Sequence, residues 1–116
     1  MSIVDKKDPY SGLTFSKGEV TAEAVVITNL KEEPDSLPDR FILVCPFTTP
    51  DWQPIMMKSA GIIVERGGIL SHPAIVSREM GIPSIRIKNA TSMIKSGQKV
   101  TISTKKGSNG CIVVVR

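Results

Sequence analysis

The sequence predicts an α/β fold with a mostly parallel central sheet and an additional β layer. In its middle third, strand-like and helix-like segments alternate, which is typical of parallel strand pairing. The apolar run Phe41–Cys45, ended by Pro46, is typical of a strand buried on both faces. Both ends are rich in strand-like segments with no helix between them. At 116 residues, the chain is expected to form a single domain, residues 1–116.

Each element follows from a local pattern. Residues 1–10 are polar and are predicted to be loosely held, whereas residues 18–28 alternate partially and predict a strand. Two prolines and several charges make residues 29–39 a surface loop. Beyond Phe41–Cys45, Thr49 or Asp51 would cap a short helix that runs to about residue 60. The other predicted elements are a strand over residues 61–65, a helix over 74–80, a strand over 84–88, a short helix over 90–95, and strands over 100–103 and 111–115 that frame a hairpin turn.

Composition narrows the class of protein. The net charge is +4 and the pI about 9.3, but the lysines are scattered and no stacking aromatics lie among them, which argues against nucleic-acid binding. No apolar stretch approaches the roughly 20 residues that cross a bilayer, and no secretory signal opens the chain. Cys45 and Cys111 lie in apolar strand-like runs without metal-ligand spacing. We therefore expect reduced cysteines in a cytoplasmic protein that contacts neither nucleic acid nor membrane.

The only histidine, His72, is predicted to stand where a helix begins. Gly67 and Gly68 permit a tight turn before it, and Pro73 suits the first helical position. Gly81, followed by proline two residues later, ends the helix. His72 would thus lie beside unsatisfied backbone N–H groups at a positive helix end, which is a place for a phosphate or another anion.

Several roles are possible for His72. A lone histidine is more often a helix cap or a surface residue, but a glycine turn between strand and helix is where α/β folds bind ligands. A metal site would need partner ligands, and none has the right spacing. A catalytic triad is disfavoured because Ser71 adjoins the histidine in sequence, although its hydroxyl could cap the helix or contact an oxyanion. A nucleophilic imidazole that accepts a phosphoryl group remains. Arg78 lies six residues further on and need not share the histidine's face.

Four segments carry a resemblance to a known family. They are residues 12–18 (GLTFSKG), 48–52 (TTPDW), 61–83 (GIIVERGGILSHPAIVSREMGIP) and 97–102 (GQKVTI). Together they resemble the mobile phosphohistidine domain of phosphoenolpyruvate-utilising enzymes. That family includes phosphoenolpyruvate synthase, pyruvate phosphate dikinase, Enzyme I of the sugar phosphotransferase system and rifampicin phosphotransferase.

The resemblance implies a swivelling β/β/α domain whose histidine takes a phosphoryl group at one active site and carries it to another. By matching position, His72 would be phosphorylated, and Gly67, Gly68 and Ser71 would shape the turn around the phosphate. Arg78 would be the arginine of the motif. No metal or cofactor would bind this domain directly. ATP, phosphoenolpyruvate and Mg²⁺ are implied only through partners, an ATP-grasp domain or protein and a phosphoenolpyruvate- or pyruvate-binding barrel or other acceptor.

The chain departs from the family in four places. Val64 stands where threonine is common, so the resemblance implies that a hydroxyl beside the histidine is missing. Pro73 replaces a small residue, and Ser77 replaces alanine. After Pro83 the family tends to continue valine-valine-glycine, whereas this chain has SIRIK over residues 84–88.

The length leaves no room for the ATP-grasp domain or the barrel. The chain would then be a separate subunit, a segment of a larger enzyme, or a degenerate relative, and the initial Met1 favours an independent gene product. Two hypotheses follow. The first is a phosphohistidine carrier, a phosphotransferase component that is incomplete without its partners. The second is a non-catalytic binding or regulatory module that keeps the fold.

Overall fold

Seven strands form one closed barrel in a computed structural model that describes residues 7–104 and 109–115. The strands are β1 (Lys7–Ser16), β2 (Glu19–Val26), β3 (Phe41–Cys45), β4 (Gly61–Val64), β5 (Ser84–Arg86), β6 (Lys99–Ser103) and β7 (Asn109–Val115). Three short helices accompany them: α1 (Gln53–Met56), α2 (His72–Met80) and α3 (Ala90–Met93). Around the barrel the order is β1-β5-β4-β3-β2-β6-β7.

The predicted α/β fold with a mostly parallel sheet is wrong, and so is the β/β/α layering that the resemblance implied. The β3–β4 and β4–β5 pairs are parallel as expected, and β2–β3 is parallel as well, but the other four pairs are antiparallel. The terminal strands do not form a separate layer. β1 pairs with β5, β6 pairs with β2, and β7 joins β1 to β6, so both edges of the parallel sheet are closed into a mixed barrel. Among the seven described strands, closure leaves no sheet edge unpaired.

Two apolar cores explain the continuous apolar runs of β3 and β4. Alternate side chains of each strand point to opposite faces. Ile42, Val44 and Ile63 lie in the cluster inside the barrel, and Leu43 and Ile62 lie in the cluster between the barrel and helices α1 and α2. Every residue of β3 and β4 is therefore buried, as the sequence predicted.

Several boundaries differ from the prediction. Residues 7–10 were expected to be loosely held but belong to β1, while residues 1–6 lie outside the described residues. The helix after β3 ends at Met56 rather than near residue 60, and a 3₁₀ turn over Pro50–Trp52 precedes it. Thr49 takes the N-cap position of that turn without a side-chain capping bond. The predicted hairpin strands are present as β6 and β7, but residues 105–108 between them are not described.

Helix α2 begins and ends where its sequence signals predict. Pro73 falls in the first turn, and Gly81 takes the left-handed conformation with φ of 72° at the C-cap. The helix buries Ala74, Val76 and Ser77. The Ser77 hydroxyl is 2.5 Å from that of Ser84 in β5, which ties the helix to the barrel. Across the described ranges, no helix has the length and apolar character that crossing a membrane requires.

Candidate functional site

The site lies at the carboxyl end of β4, where residues 65–71 connect the strand to α2. His72 is the first residue of α2, and Ser71 occupies the N-cap in extended conformation. The β4–α2 loop therefore delivers the only histidine of the chain to the helix N-terminus, where backbone N–H groups have no partner within the helix. This is the placement that the sequence predicted.

Thr48 holds the imidazole from the neighbouring strand connection. Its Oγ1 lies 2.8 Å from Nδ1 of His72, and the residue is fully buried. Thr48 follows β3 closely, and the carboxyl ends of the parallel strands β3 and β4 meet at one edge of the barrel. This shared edge brings the two residues together across 24 positions of sequence.

Sequence reasoning did not assign Thr48 to the site. It expected the hydroxyl beside the histidine at position 64, where this chain has valine. In the structure Val64 is fully buried in the core beneath the helices, and the hydroxyl comes from Thr48. The available signal was the position of the TTPDW segment directly after a strand that pairs in parallel with β4.

The two imidazole nitrogens have different surroundings. Nδ1 is engaged by Thr48. Nε2 is shielded from solvent and has no hydrogen-bond partner in the part of the chain that the structure describes, although the residue as a whole is only half-buried. A buried ring nitrogen without a partner is uncommon in folded proteins. The two nitrogens of the imidazole are therefore not equivalent in this structure.

The two glycines of the loop are not equivalent. Gly67 has φ of 109°, which L side chains rarely adopt. A Cβ there would lie 2.8 Å from the ring of Phe47 and 3.0 Å from Oγ of Ser71. Gly68 has an ordinary φ, and a Cβ there would meet nothing within 4 Å. Only Gly67 is thus required by the geometry of the turn.

Ser71 and Arg78 bond to the loop backbone. The Ser71 hydroxyl donates to the carbonyl of Gly68 at 2.6 Å and does not cap α2. The Arg78 guanidinium donates through Nε to the carbonyl of Phe15 at 2.8 Å and through Nη2 to that of Ile69. Both residues therefore fix the loop, and Arg78 also anchors it to β1.

Two further contacts fix the start of the loop. The Glu65 carboxylate accepts hydrogen bonds from the backbone N–H and the hydroxyl of Thr91 in α3, at 2.8 and 2.6 Å. The Arg66 guanidinium lies over the Phe47 ring, 5.8 Å from its centroid. Within the described residues, no three His, Cys, Asp or Glu side chains come together as a metal-binding group.

Both cysteines are free thiols in the structure. Cys45 is fully buried at the end of β3, and burial raises its pKa to about 12, with the nearby Glu65 carboxylate adding to the rise. Cys45 therefore stays protonated at neutral pH and takes no part as a nucleophile.

The closed barrel thus presents one histidine, bound to a threonine hydroxyl, at a helix N-terminus. The sequence profile described as "PEP-utilising enzyme, mobile domain" matches residues 37–107. This chain belongs to the family of mobile domains of phosphoenolpyruvate-utilising enzymes, which confirms the resemblance seen in the sequence.

Three similar proteins illustrate the relationship. The chain is 42% identical over 102 residues to phosphoenolpyruvate synthase of Aquifex aeolicus, 41% over 107 residues to the prodigiosin synthesizing transferase PigC of Serratia marcescens, and 38% over 105 residues to rifampicin phosphotransferase of Bacillus cereus. These alignments cover 87%, 91% and 90% of this chain. The chain spans only 12% of the length of each of these relatives.

Solved structures share the fold at low sequence identity. Aconitase X of Thermococcus kodakaraensis in its holo-form superposes with a TM-score of 0.69 at 17% identity, covering 94% of this chain and 99% of that chain. A UPF0107 protein solved by NMR superposes with a TM-score of 0.64 at 17% identity, with the same coverage. Identity this low shows a shared fold and nothing about activity.

Proposed function

We propose that this chain is a phosphohistidine carrier, in which His72 accepts a phosphoryl group in one partner active site and delivers it to an acceptor in another. The observation that carries the proposal is that the two imidazole nitrogens differ in their hydrogen bonding. Nδ1 lies 2.8 Å from a buried hydroxyl while Nε2 has no partner in the described chain. Membership of the mobile-domain family supports the same role.

The contact between Thr48 and Nδ1 explains why Nε2 would be the nitrogen that reacts. In the reactive tautomer Nδ1–H donates to Oγ1 of Thr48, so that the lone pair lies on Nε2. Oγ1 makes no other hydrogen bond to the described residues and is free to accept this one. The same contact orients the ring for attack by Nε2.

Phosphoryl transfer through His72 needs no reactant other than the donor and the acceptor. The Nε2 lone pair forms a bond to phosphorus, and the bond from phosphorus to the leaving oxygen of the donor breaks. That oxygen keeps the electron pair and takes up a proton from solvent or the partner site. In the second half-reaction an acceptor oxygen attacks phosphorus and gives up its proton to solvent or the partner site. The bond between phosphorus and Nε2 breaks, and Nε2 regains its lone pair.

The helix end makes a modest contribution. A negative charge at an exposed helix N-terminus is stabilised by about 0.3–1 kcal/mol. This favours the phosphorylated form of His72 but does not drive transfer. Most of the rate enhancement must come from partner sites that position the donor and the acceptor.

Access to Nε2 requires a local movement. Because the atom is shielded from solvent, either the ring turns or the groups over it shift before the nitrogen meets phosphorus. We propose that docking to a partner site brings about this exposure. A nucleophile closed to solvent outside the partner site would also protect a phosphohistidine from hydrolysis.

The partners we propose are an ATP-grasp nucleotide-binding domain and a phosphoenolpyruvate- or pyruvate-binding barrel or other acceptor, on the same polypeptide or on separate chains. ATP, phosphoenolpyruvate and Mg²⁺ would be held by those partners. The relatives are about eight times longer than the stretch they share with this chain, which leaves ample length for such domains. We place the reaction in the cytoplasm, in keeping with two free thiols.

The alternative, a non-catalytic module, drew its support from Val64 and from the absence of partner domains. The hydroxyl contributed by Thr48 removes the first of these reasons. The carrier role is therefore the better supported of the two.

Labelling by a partner tests the proposal. The full chain is incubated with its ATP-grasp and barrel partners, Mg²⁺ and either labelled ATP or labelled phosphoenolpyruvate. We expect a phosphoryl group on the wild type that survives alkali and is lost in acid, and none on His72→Ala. Wild type that stays unlabelled by these partners, or label that persists on His72→Ala, would overturn the proposal.

A further inference from the structure

Three successive carbonyl groups of the β4–α2 loop are each held by a side chain. The Gly67 carbonyl accepts from Nη1 of Arg86 at 2.8 Å, the Gly68 carbonyl from the Ser71 hydroxyl, and the Ile69 carbonyl from Arg78. Two of the three donors are guanidinium groups, and charge-assisted hydrogen bonds of this kind are about twice as strong as neutral ones. The loop is therefore fixed on its carbonyl side.

Arg86 reaches the loop from the carboxyl end of β5. Its backbone is in register with Val64, the last residue of β4, and Gly67 follows only three residues later. The side chain is half-buried, and Gly67 O is the only hydrogen-bond acceptor of its guanidinium in the described chain. The family pattern gives no role for an arginine here, since it tends to continue with valine-valine-glycine after the proline.

Arg86 holds the peptide that has most freedom to turn. Glycine samples a wider range of φ and ψ than any other residue, and Gly67 sits at φ of 109°. Without a partner for its carbonyl, the peptide between Gly67 and Gly68 could rotate. The bond to Arg86 selects one orientation for it.

Fixing the carbonyls also fixes the N–H groups. In a planar trans peptide, the N–H of one residue points opposite to the carbonyl of the residue before it. The N–H groups of Gly68, Ile69 and Leu70 thus face away from the three donors, and none of them donates to another group in the described parts of the chain. Successive free N–H groups of this kind form a concavity suited to an anion.

We propose that Arg86 is a positioning residue for phosphoryl transfer: by holding the Gly67 carbonyl, it keeps the loop N–H groups turned toward a phosphoryl group on His72. The inference rests on the proposed carrier function and adds to it a residue that acts through the loop backbone. Arg86 itself does not touch the phosphate in this account.

The chain offers a matched control for Arg86. Arg40 also donates through Nη1 to a backbone carbonyl, that of Thr21, at 2.6 Å. Arg40 immediately precedes β3, at the end of that strand opposite to Thr48 and the site. Arg86→Met and Arg40→Met therefore each remove one arginine-to-carbonyl bond, and only the first touches the loop.

The first measurement needs no partner. Amide NMR spectra of the full chain are compared for the wild type and the two methionine variants. We expect Arg86→Met to shift or broaden the amide signals of Gly68, Ile69 and Leu70, and Arg40→Met to leave them in place. Unchanged loop signals in a folded Arg86→Met chain would overturn the inference, whatever labelling shows.

The second measurement is the rate at which phosphoramidate, a small phosphoryl donor, modifies the single histidine, followed by intact mass. We expect Arg86→Met to react about tenfold more slowly than the wild type, the effect of one lost charge-assisted hydrogen bond. Arg86→Lys should recover part of the rate, and Arg40→Met should match the wild type. Equal rates for Arg86→Met and Arg40→Met would contradict the inference. Wild type that is never modified is the result expected if Nε2 stays shielded without a partner, and the NMR comparison then decides the role of Arg86.

Discussion

At the scale of single residues, the imidazole of His72 depends on one buried hydroxyl. Thr48 engages Nδ1 and holds the ring orientation, while Nε2 has no partner among the described residues. The sequence indicated that His72 stands at a helix start, because glycine, proline and serine signals are local. It did not indicate Thr48 as the partner, because the resemblance placed the hydroxyl beside the histidine at position 64.

Replacing the Thr48 hydroxyl tests its role. We expect Thr48→Val, which keeps the shape of the side chain, to slow phosphorylation of His72 about tenfold, in line with the cost of an unpaired buried polar group. Thr48→Ser keeps the hydroxyl and should retain most of the rate. The initial rate of labelling by the partner measures the effect, with circular dichroism as a check on folding. Wild-type labelling of Thr48→Val would show that the hydroxyl is dispensable.

Cys45 makes a pH-dependent contribution to stability. Its pKa rises from an ordinary 9.0 to about 12 in the folded chain, mainly because of burial. Above about pH 9 the unfolded thiol loses its proton while the folded thiol keeps it, so the unfolded state binds fewer protons and stability falls as pH rises toward 12. Melting temperatures from pH 8 to 11 should therefore fall more steeply for the wild type than for Cys45→Ala. Parallel curves would show that the Cys45 thiol does not contribute.

At the scale of elements, the β4–α2 loop is built to hold one conformation. Its carbonyl groups are bonded to Arg86, Ser71 and Arg78, and its first residue, Glu65, is tied to the start of α3. The limits of α2 were predictable because proline and glycine signals mark both of its ends. Helix α1 was predicted too long, because helical propensity extends beyond Met56 while the chain must turn into β4 at Gly61.

The two loop glycines give a matched pair of substitutions. We expect Gly67→Ala to lower the free energy of unfolding by about 1–3 kcal/mol, since alanine must adopt a positive φ and its Cβ would press on Phe47. Gly68→Ala should change stability by less than about 0.5 kcal/mol, because the added methyl meets open space. Urea unfolding of both variants measures the difference. Similar stabilities for the two variants would contradict the geometry of the turn.

At the scale of the whole molecule, the barrel closes through its terminal strands. Alternating apolar residues predicted β6 and β7, but a strand pattern does not name its partner. The antiparallel pairing of β1 with β5 and β7 joins residues far apart in sequence, and this was the part that local reasoning could not supply. The parallel pairs β3–β4 and β4–β5 were predictable because the helices between their strands are visible in the sequence.

Gly12 lies in β1, where this strand packs against β5 and closes the barrel. A Cβ at this position would lie 1.9 Å from the carbonyl oxygen of Arg86, on the neighbouring strand. We expect Gly12→Ala to lower the free energy of unfolding by about 3 kcal/mol, because strand β1 must move away from β5 to admit the methyl group. Urea unfolding, with Gly68→Ala as the tolerated control, measures the effect. Wild-type stability in Gly12→Ala would mean that β1 does not close against β5.

The central claim is that His72 carries a phosphoryl group, and the chain isolated from its own cells tests it most directly. The chain is purified at alkaline pH, at which phosphohistidine survives, and its intact mass is measured before and after mild acid. We expect a fraction heavier by one phosphoryl group, lost on acid treatment and absent from cells that carry His72→Ala. A chain that is unmodified under every growth condition, or an acid-stable modification at another residue, would contradict the account.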